Sequence, residues 1–422
     1  MRAKMREEYI CGLDVGSTAV RIAVGQPMVR AEGDETMHII GAAEVQSEGV
    51  HKGIVTSIED TVSCISACLE RAERMIGGPV EHMWVAISGS HILSQDSKGV
   101  VAVSRNDGEI AEEDVQRAIE AARTVATPIN YEILHVLPKS FTVDGQSGIK
   151  DPVGMTGVRL EVDAQIIQGV SSQIKNLTRS VYRTGVDIDD LVLGILATGE
   201  AVITRRQKEL GAVVVNLGGS TTSVAIYEEG DVIHSAVLPV GSEHITNDIA
   251  LGLRTSIDVA ERVKIEYGTA VSEGVHKKEV INLADLGSEN AEEVSRKYVA
   301  EIIEARVQEI FEMVDAELKK VGRSRLLPAG IILTGGGSKL PGIVEAAKES
   351  LYLPATLGYP LEVSSVTDKV NDLAFSTAIG LVQWGMSVKS SGSGTMGSVI
   401  SKFKTVDKVS KQVRKWFKSL IP

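Results

Sequence analysis

Cysteine is nearly absent from this 422-residue chain: Cys11, Cys64 and Cys68 are all it has. Three thiols make neither a disulfide framework nor a metal-ligand set, and such low usage suits a reducing compartment. Cys64 and Cys68, four residues apart, share one helix face and read as small buried hydrophobes. The eight histidines form no HxxxH pair, and no Ser/His/Asp set is readable. Aromatic residues make up only 4% of the chain. The core must therefore be Val, Ile, Leu and Ala, as in aliphatic strands packed beneath helices. No apolar run approaches the ~18 residues of a spanning helix. The opening MRAKMREEYI carries no apolar stretch of the signal-peptide kind.

What is present is acidic and unevenly distributed. The net charge of −12 argues against nucleic acid as the main partner. Residues 399–422 hold seven Lys/Arg against one acid, Asp407, so this tail carries +6 and the rest carries −18. A tail so unlike its body points to an electrostatic partner of its own.

Two segments repeat each other. Ile10–Val24 (ICGLDVGSTAVRIAV) and Val213–Tyr227 (VVVNLGGSTTSVAIY) each run from an apolar strand through a Gly-Ser-Thr turn into an alternating strand. Both read as β-hairpins. About 200 residues separate them, far beyond a solenoid period and suited to a duplicated domain. A third glycine cluster, Gly330–Pro341 (GIILTGGGSKLP), follows a third apolar strand and leads to a helix from Ile343 to Glu349. Glycine lets the backbone turn sharply and bring its N–H groups against a phosphate, and Ser and Thr hydroxyls add donors. Three such loops, two of them copies, point to phosphate binding. Neither the GxxxxGK[ST] loop nor a strand–GxGxxG–helix fingerprint is present, so the site is neither of those nucleotide folds.

These residues resemble the actin/Hsp70/sugar-kinase superfamily: DVGST at 14–18 its first phosphate loop, NLGGSTT at 216–222 its second, TGGGSKLPG at 334–342 its adenosine loop. Within it the chain resembles the FtsA family of bacterial cell-division proteins. Lys52–Gly77 looks like that family's strand and helix after the first loop. Val85–His91 (VAISGSH) and Ile149–Glu161 (IKDPVGMTGVRLE) look like the borders of its inserted subdomain. The type IV pilus protein PilM shares the insert but is not expected to carry the basic tail.

The resemblance implies an α/β, actin-like two-domain fold of duplicated sheet-and-helix domains, with a small inserted α+β subdomain and a C-terminal amphipathic helix. The first half is expected at 1–83, 166–200 and 361–386, the insert at 84–165 and the second half at 201–360. The insert's clearest helix is expected at Glu109–Ala126, and a long amphipathic helix at Tyr298–Val321. The resemblance also implies ATP between the halves with Mg²⁺ at its phosphates. Asp14 would orient the metal's waters. Backbone N–H groups of Gly16, Ser17 and Thr18, and of Gly218, Gly219, Ser220 and Thr221, would hold phosphates. Gly335, Gly336, Gly337 and Ser338 would flank the adenosine, and Glu261 and Lys264 would approach ribose or base. No other metal site is expected. The family polymerises and binds the C-terminal peptide of the tubulin-like FtsZ. Arg296, Lys297 and Arg306 are candidate contacts to that acidic peptide, or ordinary solvated surface charges.

The sequence departs from the superfamily pattern where chemistry would sit. Asn216 stands where the second loop usually begins with Asp, and Ser223 stands where an acid is usual. Asn keeps an acceptor oxygen but loses the charge, and it is a poor base. Ala19 replaces a usual Lys. Arg21, two residues on and thus on the same strand face, is the nearest cation. The expectation is ATP binding with very slow hydrolysis; the alternative is that both exchanges are neutral.

Ser387–Ser398 is Gly/Ser-rich and reads as a flexible linker. Beyond it, Phe403, Val406, Val409, Val413, Trp416, Phe417 and Leu420 fall at steps of three and four, a helical stripe. Lys408, Lys411, Arg414, Lys415 and Lys418 occupy the other faces. A core helix needs no such cations. A helix for a partner's groove would read the same. An interfacial helix on anionic lipid explains the cations and the aromatic pair together. The functional expectation is a membrane tether that polymerises on the cytoplasmic face of the cell membrane at the division site. The alternatives are a PilM-like adaptor, or a small-molecule kinase, which would need an acidic base that no motif announces.

Overall fold

The computed structural model describes residues 9–29, 35–124, 127–288 and 292–391. The chain opens with β1 (Ile10–Val15), β2 (Ala19–Val29) and β3 (Glu35–Gln46), then a short hairpin of β4 (Val50–His51) and β5 (Ile54–Val55). Helix α1 (Ile58–Ile76) and β6 (His82–Ile87) complete the first passage. The insert follows as β7 (Ile92–Ala102), α2 (Glu112–Ala122), β8 (Tyr131–Val143), β9 (Gln146–Ile149) and β10 (Arg159–Val170). The chain returns through α3 (Ser171–Tyr182), β11 (Asp187–Leu193) and α4 (Gly194–Val202).

The second half holds α5 (Arg205–Leu210), β12 (Ala212–Leu217), β13 (Thr222–Glu228), β14 (Asp231–Leu238), α6 (Ser242–Leu253) and α7 (Ile257–Tyr267). A small ribbon, β15 (Val280–Asn282) and β16 (Glu293–Ser295), leads into α8 (Arg296–Lys320). Then come β17 (Gly330–Thr334), α9 (Ile343–Leu351), β18 (Ala355–Leu357), β19 (Val363–Ser365) and α10 (Ser376–Ser391).

The duplication inferred from the two hairpins is a duplication of whole sheets. The first sheet runs β11-β6-β1-β2-β3-β19 and the second β14-β13-β12-β17-β18. In each, the hairpin is antiparallel, and its first strand pairs in parallel with the strand that returns through a helix. The register repeats as well: Asp14 lies opposite Arg21, and Asn216 opposite Ser223. Val213, Val214, Ile331 and Leu333 are buried, as strands covered on both faces require. Helices α4 and α10 cross between the sheets at backbone contact: a Cβ on Gly380 would lie 1.9 Å from the Ala197 carbonyl. Glycine there lets the helices approach.

Several expected boundaries move. Residue 84 lies inside β6, a strand of the first sheet, so the insert begins after it, and β10 carries it to Val170 rather than 165. The insert's helix is Glu112–Ala122, shorter than 109–126; Asp114 caps it by accepting the Ala111 N–H at 3.0 Å. Helix α10 runs to Ser391, five residues past the expected 386. The stretch SVKSS contains no helix breaker, and the first glycine is Gly392. The remaining linker and the basic stripe at 399–422 lie outside the described residues.

Candidate functional site

A cleft of about 650 Å³ separates the halves, lined by the turns of both hairpins and the loop after β17. Each hairpin turn closes on the same bond. The Gly16 N–H donates to the Ala19 carbonyl at 3.1 Å, and the Gly218 N–H donates to the Thr221 carbonyl at 2.9 Å. Those two donors are committed to the turns. The expectation that every N–H of both loops faces a phosphate therefore narrows. Among the described residues, no protein acceptor meets the N–H groups of Ser17, Thr18, Gly219 and Ser220. Buried and half-buried N–H groups, here those of Ser17, Gly219 and Ser220, need a partner. At Gly219 a Cβ would come within 2.8 Å of Glu243 Oε1 and 2.9 Å of Thr18 Oγ1, so the loops of the two halves meet there. This backbone cradle fits a phosphate chain.

The side chains sort less uniformly. Asp14 is half-buried at the cleft floor. Desolvation raises its carboxyl pKa above the ordinary value, and Arg21 opposes that rise. Arg21 Nε donates to Glu44 at 2.6 Å, and its guanidinium lies 5.9 Å from the Phe375 ring centroid. The cation that sequence placed here is thus present and held by a carboxylate the sequence did not flag. Asn216 Nδ2 donates to Thr377 Oγ1 at 3.0 Å and Thr198 Oγ1 at 3.3 Å, and those hydroxyls bond each other at 2.9 Å. Lys264 sits on α7, where Nζ donates to Glu261 at 2.7 Å, to Thr246 Oγ1 at 2.8 Å and to the Ser242 carbonyl at 3.4 Å. All three ammonium donors are engaged, so Lys264 acts on a ligand by holding Glu261.

Ser220 is buried and its hydroxyl donates to Glu243, which leaves its backbone N–H, the group expected there, as the one available to the cleft. One expected contact is corrected. Ser338 is buried and its hydroxyl donates to the Thr334 carbonyl at 2.6 Å. It pins the third loop from behind. Gly335, at φ +87°, crosses the second loop so closely that a Cβ would lie 2.2 Å from Asn216 Oδ1. Gly336 and Gly337 line the cleft beside it. Among the described residues no group of three or more His, Cys, Asp or Glu could cage a metal. A cation in the cleft would therefore rest mainly on the oxygens of its ligand and on water, with Asp14 among the lining carboxylates.

The three candidate peptide contacts sit on α8, and two are already engaged. Arg296 pairs with Glu279 at 2.5 Å and donates to the Tyr267 carbonyl at 3.1 Å. Arg306 grips Asp248 through two nitrogens at 2.5 and 3.0 Å. Lys297 has no ionic partner among the described residues. Glu44, Glu243, Thr198 and Thr377 escaped sequence reasoning. They lie on ordinary strands and helices with no motif around them, and only the tertiary fold brings them to the loops.

Two facing sheets of repeated topology, with a glycine-lined cleft between them, define an actin-like protein carrying an insert. The solved PilM–PilN type IV pilus biogenesis complex shares this fold, with a TM-score of 0.65 at 16% identity, over 90% of this chain and 99% of that one. MreB5 of Spiroplasma citri bound to ADP does so with a TM-score of 0.53 at 13% identity, over 92% and 99%. Closer likeness lies in sequence. The profile "Cell division protein FtsA" matches residues 213–380, and "SHS2 domain inserted in FTSA" matches 89–168. The cell division protein FtsA of Pseudomonas aeruginosa is 37% identical over 411 residues, 97% of each chain. That of Bacillus subtilis is 38% identical over 377 residues, 89% of this chain and 83% of its own. The chain belongs to the FtsA family of cell-division proteins.

Proposed function

We propose that this protein binds ATP with Mg²⁺ in the cleft and polymerises on the cytoplasmic face of the cell membrane, tethering FtsZ filaments there. The observation that carries the nucleotide reading is the mirrored pair of loops, whose unpartnered N–H groups converge where the halves meet at Gly219. MreB5, of the same fold, was solved with ADP. Bound Mg²⁺ would neutralise phosphate charge. Asp14 would orient its water, the loop N–H groups would hold the phosphates, Glu261 would face the ribose, and Gly335–Gly337 would leave room for the base.

Hydrolysis is slow on this reading. Asn216 replaces the second loop's acid, and its amide nitrogen is engaged by Thr377 and Thr198. An amide does not take up a proton at neutral pH, so ATP serves as a structural or switching ligand. Titration calorimetry with ATP and Mg²⁺ and a phosphate-release assay on the same full chain test both halves of the claim. Saturable binding with slow release supports it. A fast Mg²⁺-dependent rate abolished by Asp14→Ala contradicts it.

The tether is the basic stripe at 399–422, whose charge term is about 1 kcal/mol per cation near an anionic surface before screening. Among the described residues no helix is long and apolar enough to cross a membrane. Salt-sensitive binding to anionic vesicles is expected. Binding that survives deletion of 399–422, or is equal on neutral lipid, counts against the tether. For the FtsZ peptide, Lys297 is the cation open to a carboxylate, with Arg296 and Arg306 reachable by exchange of their present partners.

A further inference from the structure

Ser17 touches more than the cleft. Its Oγ accepts the Gly53 N–H at 3.1 Å, which leaves the serine's own hydrogen available to an oxyanion in the cleft. Gly53 and Lys52 form the two-residue turn of the β4–β5 hairpin, with φ +71° and +51°. Turns of that hand match strand twist and hold their shape. The tip of this hairpin presses on the turn that opens the insert. A Cβ on Gly53 would lie 2.5 Å from Gly89 Cα and 2.6 Å from the Ser88 carbonyl, and one on Gly89 would lie 2.8 Å from the Gly53 carbonyl. The Ser90 N–H donates to the Lys52 carbonyl at 3.2 Å, and the Ile92 N–H, first in β7, donates to the Gly89 carbonyl at 3.2 Å. Backbone lies on backbone with no side chain between to absorb a shift.

Two further observations mark this root as able to rearrange. His91 is 8% exposed, yet neither ring nitrogen has a partner among the described residues. Buried polar atoms left unmet are uncommon and unfavourable, so a small movement that supplies a partner is not opposed. At its other side the insert bonds the second half: Gln165 meets His234 Nδ1 at 3.0 Å, Ser235 donates to Gln165 at 3.0 Å, and Lys150 pairs with Asp231 at 3.1 Å. A shift at the root therefore changes the load on contacts that span the halves.

We propose that the β4–β5 hairpin passes occupancy of the first phosphate loop, sensed at Ser17, to the root of the inserted subdomain at 89–92. This rests on the cleft being a nucleotide site. A phosphate oxygen accepting from the Ser17 hydroxyl redirects its oxygen lone pairs, the Gly53 bond adjusts, and the 88–91 turn follows.

The test is hydrogen–deuterium exchange on the full chain with and without saturating AMP-PNP and Mg²⁺. Exchange at 335–337 reports binding, and exchange at 50–55 and 89–93 reports the link. In the native chain both should change, the latter by about threefold or more. Gly53→Ala forces the hairpin off Gly89. It should keep the protection at 335–337 and lose most of the change at 89–93. Should that variant fail to fold, Ser90→Pro, at an exposed position outside the cleft, deletes the N–H that meets the Lys52 carbonyl and should give the same split at saturating nucleotide. The proposal is overturned if 335–337 is protected while 89–93 is unaltered, or if the folded variant shows the native change at 89–93. Absence of protection at 335–337 in the native chain instead removes the nucleotide reading, and the link with it.

Discussion

Asn216 of β12 donates its amide to the hydroxyl of Thr377, 3.0 Å away at the start of α10. The residue whose mirror position in the first half is the acid Asp14 is therefore a hydrogen-bond donor, tied to a helix of the opposite half. Asn216→Asp exchanges that donor for an acceptor, and the Thr377 hydroxyl can rotate to donate to it, while that of Thr198 donates to the Gly194 carbonyl at 2.8 Å. ATP turnover should rise at least about tenfold, since a positioned carboxylate contributes roughly 10²–10⁴-fold in general-base chemistry. A phosphate-release assay with Mg²⁺ reads the change, and an unaltered rate would show that the missing acid does not limit hydrolysis.

Gly335 bears on the same asparagine. At φ +87°, with a Cβ position 2.2 Å from Asn216 Oδ1, alanine there meets both strain and a clash. Gly335→Ala should lose measurable nucleotide binding and destabilise the fold by about 1–3 kcal/mol. Gly336→Ala, whose nearest neighbour beyond the loop is 3.9 Å off, should melt near the native temperature. Equal melting of the two variants would contradict the close crossing of the loops.

Two buried histidines make stability pH-dependent. Burial lowers the pKa of His91 and of His135 to about 4, from 6.5. His135 Nε2 accepts the Leu193 N–H at 2.9 Å, which a protonated ring cannot do. The unfolded chain therefore binds more protons between pH 6.5 and 4, and stability falls as pH drops through that window. Thermal melts from pH 7 to 5 should decline, and His135→Gln should flatten the decline. A profile unchanged by that substitution would locate the sensitivity elsewhere.

On α8 the three cations should separate by role. Lys297→Ala should weaken capture of an acidic FtsZ tail peptide while leaving the melting temperature near native. Arg306→Ala breaks the double contact to Asp248 and should destabilise by about 1 kcal/mol. Fluorescence anisotropy with the peptide, set beside thermal melts, distinguishes them. Equal loss of peptide binding from both variants, without loss of stability, would show that Arg306 exchanges its partner freely.

Strand periodicity and the copied Gly-Ser-Thr turns made the duplicated architecture legible, because a hairpin is a local object whose turn chemistry is written in adjacent residues. The third loop was legible for the same reason. Ser338 was misplaced because the tight turn over Gly336–Lys339, which aims its hydroxyl back at the Thr334 carbonyl four residues earlier, is not written in the glycine motif. Thr377 was invisible: nothing local distinguishes a threonine on an apolar helix from one that accepts from an asparagine amide 161 residues earlier. The start of the insert was misplaced because β6 is equally apolar whether it belongs to the first sheet or to the insert.

The most direct measurement is electron microscopy of the full chain on lipid monolayers, anionic and neutral, with and without ATP and Mg²⁺. Filaments that form on anionic lipid with ATP, and fail on neutral lipid or after removal of 399–422, are the predicted result. Filaments that need neither lipid charge nor the tail, or a chain that stays dispersed on anionic lipid with ATP, would contradict the account of a nucleotide-switched membrane polymer.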